Sequence, residues 1–453
     1  MVFASLNPYT QQTLKTYRAD GHAAIERKLK QADRAFADWS ALSLAERTDY
    51  FRKVGDYLVA NKQRYGELMT AEMGKTLKEA VAEVEKCAVS CTYYADHAEA
   101  FLADQIIESE AAHSFITYQP LGPVLAIMPW NFPFWQVMRF AIPGLMAGNV
   151  GLLKHAPNVF GCALAIEEAF QSCGLPTGVF QSLLIDVPPV DGLLKDKRVK
   201  AVTLTGSGRA GSSVASVAGR EIKKSVLELG GSDALIVLAD ADLEKAAEVA
   251  VKSRMQNAGQ SCIAAKRLIV EKSVKKQFTE LVLEYINQIK QGDPMDDATT
   301  MGPMARLDLA DNVERQCRES VAKGAKLLMG GERNGCNVAP MLLDKVKPGM
   351  VAFDEETFGP LAVIIEAKDE ADAIRLANQS DFGLGSALWT RDLAKADRLA
   401  RQIQAGSVFV NGLMRSDARV PFGGIKTSGF GRELAEVGIK EFVNVKTVWV
   451  EKT

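Results

Sequence analysis

AVTLTGSGRAGSSVASVAGREIKKSVLELGG, residues 201–231, decides the fold. Ala201 to Thr205 is a short apolar run, Arg209 to Ala218 carries helical spacing, and Ser225 to Glu228 returns to a short apolar run. Parallel strands need such a crossover helix, so the stretch reads as a βαβ unit. Upstream, Val124 to Met128, Gly151 to Lys154 and Val179 to Ile185 predict further strands, with a helix over Asn158 to Gln171. Downstream, a second series predicts strands at Ala234 to Leu238 and Arg267 to Val270 and helices at Leu243 to Met255 and Val274 to Lys290, with more units to about Gly406. The fold class is therefore α/β, with two parallel-sheet layers in one chain.

Before this series, Asp20 to Leu102 is charged and helix-patterned, with Cys87 and Cys91 one turn apart as packing thiols. Ala111 to Met138 holds no charged residue, which is long enough for a membrane span, but Pro120, Gly122, Pro123, Pro129, Asn131 and Pro133 break it into buried strand and turn. The last segment, Glu441 to Val450, alternates as a strand with no evident partner in the chain and is expected to pair in an oligomer.

At roughly 150 residues per domain, 453 residues make two large domains or three ordinary ones. A formal charge of −2 leaves no global positive field for nucleic acid or anionic lipid, so neither is an expected partner. The N-terminus lacks the basic, apolar and small-residue regions of a signal peptide. An odd count of 7 Cys without CxxC argues against a disulfide framework or zinc cluster, so a reducing cytoplasm is expected and no metal site. Only 4 His occur (His22, His97, His113, His155), none beside a nucleophile candidate, so a carboxylate is the expected acid/base group.

Gly206, Gly208 and Gly211 match GxGxxG after a strand, with Glu228 where a ribose-binding acid would stand. Three βα units precede the match and Gly230 and Gly231 follow Glu228 at once, so dinucleotide binding is retained and a ribose role for Glu228 is not. Cys262 ends a Gly-containing loop, Asn257 to Cys262, where backbone amides can approach a substrate. Asn131 sits between bulky groups in MPWNFP (128–133), and EETFGP (355–360) supplies carboxylates. A thiol, an amide donor and a carboxylate can run acyl chemistry without histidine.

These motifs resemble the NAD(P)-dependent aldehyde dehydrogenases along nearly the whole chain: PWNFP (129–133), LTGS (204–207), LELGG (227–231), the Cys262 loop, EETFGP and PFGGIKTSGFGRE (421–433). The resemblance implies an NAD(P)-binding domain over 1–101 and 121–229, a catalytic domain over 230–432, and a small β oligomerisation element over 102–120 and 433–453. It implies Cys262 as nucleophile, Asn131 as oxyanion donor and Glu228 as the base that hydrolyses a thioester. It places the cofactor, NAD or NADP, against Met128, Pro129, Trp130, Lys154, Pro157, Asn158, Gly206, Ser207, Gly211, Leu229, Gly230, Glu356 and Phe358. Glu356 would hold the nicotinamide ribose and Phe358 pack near that ring; Lys154 would reach the adenosine ribose. Pro157 stands where NAD-preferring relatives often carry Glu, which implies dual cofactor use.

Arg139, eight residues after Asn131, falls on the helix that lines the family's substrate tunnel, where a guanidinium is a fork for a carboxylate. The other reading pairs Arg139 with a nearby structural acid. Trp135, Ser261, Ser416 and Phe422 complete the expected substrate site, and NGLMRSDAR (411–419) and KHAPN (154–158) resemble succinate-semialdehyde dehydrogenases. The expected reaction is succinate semialdehyde to succinate, in a homodimer or homotetramer, with a broader short or medium-chain aldehyde range as the alternative. A catalytically silent binding or structural relative, and an enzyme passing the acyl group to coenzyme A, are the readings from other classes.

Overall fold

The computed structural model describes residues 1–453. Four helices come first after an N-terminal hairpin: His22–Ala41, Leu44–Ala60, Lys62–Met73 and Leu77–Leu102. Ser43 and Thr76 start two of them with capping boxes closed by Glu46 and Glu79, which satisfy amides that a helix end leaves unpaired. Cys87 and Cys91 are buried on the last of the four.

Five parallel strands follow: β1 (Pro123–Met128), β2 (Val150–His155), β3 (Phe180–Ser182), β4 (Ala201–Thr205) and β5 (Lys224–Glu228). Their spatial order is β3-β2-β1-β4-β5, and Gly429–Phe430 adds an antiparallel edge beside β5. Strand order reverses between β1 and β4, so a crevice opens at their carboxyl ends, where open α/β sheets receive ligands. β2 and β4 are buried along their whole length, which is why they read as continuous apolar runs rather than alternating ones.

A second sheet of seven strands runs in the order Lys326–Met329, Met341–Asp344, Leu361–Ala367, Arg267–Glu271, Ala234–Val237, Gly385–Trp389 and Ser407–Val410; only the first is antiparallel to its neighbour. Two separate hydrophobic cores correspond to the two sheets. One runs from Leu29 to Leu229 and takes in a few later residues such as Phe422 and Leu434; the other runs from Ala234 to Ile403. Between them, Gly231 N–H donates to Glu356, Ser232 O accepts from Arg267 and Asp233 accepts from Gly385 N–H, all in the second half.

Three expectations change. The C-terminal strand does have a partner in the chain: Val443–Val450 pairs antiparallel with His113–Pro120 from Val443 opposite Pro120 to Val450 opposite His113. More than 300 residues separate the two, a distance over which strand pairing leaves no local pattern. The uncharged stretch is buried only in part: Pro123–Met128 is interior, whereas His113–Pro120 belongs to a three-stranded sheet at the surface with Gln105–Ile106. The strand expected at 179–185 shortens to β3, and the helix Pro188–Lys195 follows soon after. No helix is long and apolar enough to cross a membrane.

Candidate active site

The thiol of Cys262 follows a strained turn. Asn257, Ala258 and Gly259 have φ of 54°, 52° and 73°, three left-handed residues in a row, two of which carry a Cβ. Such a conformation persists only where its surroundings over-determine it. Here they do: Asn257 Nδ2 donates to the Asn131 carbonyl at 2.8 Å and to Gln260 O at 3.2 Å, its backbone N–H donates to Glu79 Oε1 at 2.8 Å, and Gln260 Nε2 donates to Asn257 O at 3.0 Å. Asn131 Nδ2 donates to Gln260 O at 3.0 Å, leaving one of its two amide hydrogens uncommitted. The MPWNFP and Cys262 loops are thereby tied together.

Lys266, one turn beyond, donates from Nζ to the Cys262 carbonyl at 2.7 Å and pairs with Glu356 Oε1 at 2.9 Å. Burial pushes the Cys262 thiol up to about 12, while Lys266 and then Arg139 pull it back. Gly230 and Gly231 explain the LELGG ending. A Cβ on Gly230 would run into the Glu356 carboxylate and one on Gly231 would lie 2.6 Å from Cys262 O, so only glycines let this segment pass between the two loops.

Cys262 opens on a cavity of about 450 Å³, and Trp135, Arg139, Ser261, Ser416 and Phe422 all line it. Trp135 Nε1 donates to Ser416 Oγ at 2.9 Å. The Arg139 guanidinium contacts the buried Glu433 carboxylate as an ion pair and lies 4.5 Å over the Phe422 ring. Arg139 thus lines the cavity with its charge already matched by an acid. Glu228 ends β5 beside this pair and does not line the cavity. Both of its carboxylate oxygens are buried without hydrogen-bond partners. Burial first, and the neighbouring Glu433 second, hold its pKa well above the usual carboxylate range, against the pull of Arg139 and Arg432.

At the crevice, Met128 ends β1 and Lys154 lies on β2. Pro157 and Asn158 begin a single 3-10 turn after β2, and Ser207 caps the helix Gly208–Arg220 by accepting from Ala210 N–H at 3.3 Å. The glycine string is not a phosphate-binding turn of the usual kind. Gly206 and Gly208 keep negative φ and have room for a Cβ, and only Gly211 is crowded, against Leu229. The crevice still fits an anionic dinucleotide. Asn158 Nδ2 is buried without a partner, Lys154 has no acid within ion-pair distance and is pushed down by burial, and the helix amides after Ser207 are positively polarised. Trp130 meets Phe358 edge-on with centroids 5.9 Å apart, and Glu356 also accepts from Gly231 N–H at 3.0 Å.

The contacts made by several residues around the candidate site left no readable trace in the sequence. Lys266 and Glu433 act through contacts distant in the chain. His155 is buried, with its ring nitrogens 3.2 Å and 2.9 Å from the carbonyls of Met128 and Pro133, bracing the MPWNFP loop from below. Lys86 lines the cavity from Leu77–Leu102, where the pattern showed only an ordinary charged helix.

A family model described as the aldehyde dehydrogenase family matches residues 1–448. The chain is 50% identical to a probable NADP+-dependent succinate-semialdehyde dehydrogenase of Synechocystis sp., over 99% of this chain and 100% of that protein. It is 47% identical to the NAD(P)+-dependent succinate semialdehyde dehydrogenase of Escherichia coli, over 99% and 98% of the two chains. Among solved structures, the succinic semialdehyde dehydrogenase of Streptococcus pyogenes in complex with NADP+ superposes with a TM-score of 0.97 at 36% identity, covering 99% of this chain and 100% of that one.

Proposed function

The chain belongs to the aldehyde dehydrogenase family, and from that premise we propose that it oxidises succinate semialdehyde to succinate with NADP+ or NAD+. The observation that carries the substrate is the cavity itself, which ends on Cys262 and is lined by Lys78, Lys86, Lys252 and Arg415, none of them ion-paired, while its two carboxylates are engaged elsewhere, Glu83 by Lys75 and Glu79 by Asn257 N–H and Thr76. Such a lining attracts an anionic aldehyde. The relatives named for this substrate support the same reading.

The residues then divide the work. The Cys262 thiolate forms a C–S bond to the aldehyde carbon, and the resulting oxyanion takes the free Asn131 amide hydrogen and the Cys262 backbone N–H. When bound, the nicotinamide supplies the hydride acceptor. The thioester left on Cys262 is cleaved by water whose proton passes to Glu228, releasing succinate and the thiolate. To do this Glu228 must turn from Glu433 toward the cavity; its raised pKa makes it a stronger base than an ordinary carboxylate.

Residues of the β1-to-β5 half are assigned to the dinucleotide, with Lys154, Asn158 and Ser207 toward its phosphates and Glu356 and Phe358 toward the nicotinamide end. Lys154 without an acid partner, and Pro157 in place of an acid, support acceptance of a 2′-phosphate. The seven free thiols support a reducing compartment. The outer edge of Val443–Val450 supports assembly into a homodimer or homotetramer.

The test is a kinetic panel of succinate semialdehyde and butanal with each cofactor. kcat/KM at least about tenfold higher for the acid aldehyde is expected, with all turnover lost in Cys262→Ala. Equal values would return the broader aldehyde range, no turnover on any aldehyde the silent relative, and an absolute need for coenzyme A would overturn the hydrolytic step.

A further inference from the structure

Of the five cations that line the cavity, Arg139 and Lys86 are withdrawn from solvent and could hold a substrate carboxylate, and the structure distinguishes them. Arg139 is ion-paired with the buried Glu433. Lys86 has no acid within ion-pair distance: the nearby Glu83 is taken by Lys75, and Asp417 by Arg419. Its hydrogen bond goes instead to Ser416 Oγ at 2.8 Å, and its ammonium lies 4.1 Å over the Trp135 ring. Lys78, Lys252 and Arg415 line the same cavity but are exposed, whereas Lys86 is half-buried.

We infer that Lys86, with Ser416, forms the carboxylate-binding end of the substrate cavity and sets its preference for acid aldehydes. This rests on the proposed succinate semialdehyde activity and adds the residue that selects for it. The donor inventory fits. An ammonium has three hydrogens, of which one goes to Ser416, leaving two for an incoming carboxylate. Ser416 Oγ accepts from both Lys86 and Trp135 Nε1, so its own hydrogen is free to donate to the same anion. Burial, reinforced by Arg139, pushes Lys86 down to about 8, which marks an ammonium that has lost water without gaining a counter-charge. A bound carboxylate supplies that counter-charge and completes the cluster. Trp135 holds the Lys86 ammonium and the Ser416 hydroxyl in register, and the aldehyde end of the substrate is left to Cys262.

The experiment compares wild type with Lys86→Met, which keeps an unbranched stem and removes the charge, and with Lys86→Arg. The readout is the ratio of kcat/KM for succinate semialdehyde to kcat/KM for butanal, and the KM and kcat of each. In Lys86→Met the ratio is expected to fall about 10- to 100-fold, the range of a lost charge-assisted contact, with the loss in KM for the acid aldehyde. Lys86→Arg is expected to restore part of it. Ser416→Ala is expected to lower the ratio in the same direction. A ratio unchanged in Lys86→Met, with the variant folded by thermal unfolding, overturns the inference while leaving the activity intact. A wild type that does not prefer the acid aldehyde overturns the proposed substrate, and the inference with it. A loss equal for both aldehydes assigns Lys86 a structural role and also overturns it.

Discussion

Glu228 is buried beside an ion pair, Arg139 with Glu433, in which it takes no direct part. Arg139 is ion-paired with Glu433 alone, so a second ionised carboxylate would stand uncompensated in a buried site; burial and then Glu433 raise the Glu228 pKa, and burial raises that of Glu433. The consequence for stability has a definite sign. Glu228 is raised in the folded protein above its ordinary value of 4.5, so the folded state binds more protons than the unfolded one as pH climbs from there. Its contribution is therefore full below about 4.5 and is lost as pH rises through the folded value. Glu228→Gln removes a group that is costly to ionise. The expected result is a thermal midpoint raised at pH 8 and raised less at pH 5, with dehydrogenase turnover lost at both. A gain larger at pH 5 than at pH 8 would contradict the raised pKa of Glu228. Arg139 is also a different residue in this light. Its removal leaves Glu433 unpaired beside Glu228, so its effect falls on turnover with every aldehyde rather than on carboxylate recognition alone.

At the scale of elements, the turn Gln256–Gly259 and the loop Glu355–Pro360 are fitted against each other. Arg254, buried at the end of Leu243–Met255, donates to the carbonyls of Thr357 and Leu361, each at 2.9 Å, and contacts Gly359 O as well. Gly259 has φ of 73°, and a Cβ there would strike the Gly359 carbonyl. Gly259→Ala combines a left-handed alanine, at about 1–2 kcal/mol, with a backbone clash that displaces Cys262 from Asn131. Loss of at least about tenfold in kcat and a lower thermal midpoint are expected. Gly219→Ala is the counter-case: the residue lies inside the helix Gly208–Arg220 with nothing near its Cβ, so a gain of about 0.5–1 kcal/mol is expected by thermal unfolding, with kinetics unchanged. Equal outcomes for the two glycines would show that the tight fit at the thiol does not matter.

For the whole molecule, the C-terminal strand closes the chain onto a distant segment and leaves one edge of its sheet open. Val445, Trp449 and Val450 are exposed on the strand that forms this unpaired edge, which is what an inter-subunit surface offers. The proposed oligomer predicts a sedimentation mass of two or four chains for wild type and a shift toward one chain in Val445→Asp. A wild type sedimenting as a single chain would remove the proposal.

Much of this was readable in the chain. Each strand of the β1-to-β5 sheet, and the helix Leu243–Met255, carries a local run whose period survives in any context, because backbone pairing and burial act on neighbours a few residues apart. The candidate site residues Cys262, Asn131, Glu228 and Glu356 could be singled out because each stands in a short local motif, and the resemblance those motifs carry supplied the roles expected of them. What only the tertiary structure decided were pairings between distant segments. They are the partner of Val443–Val450, the claim of Glu433 on Arg139, the reach of Lys266 to Glu356 and the facing of Lys86 to Ser416. A charge on a helix reads the same whether it meets solvent, an acid or an empty cavity. Which of these it meets is set by elements hundreds of residues away, and with it which cation is left to bind a substrate.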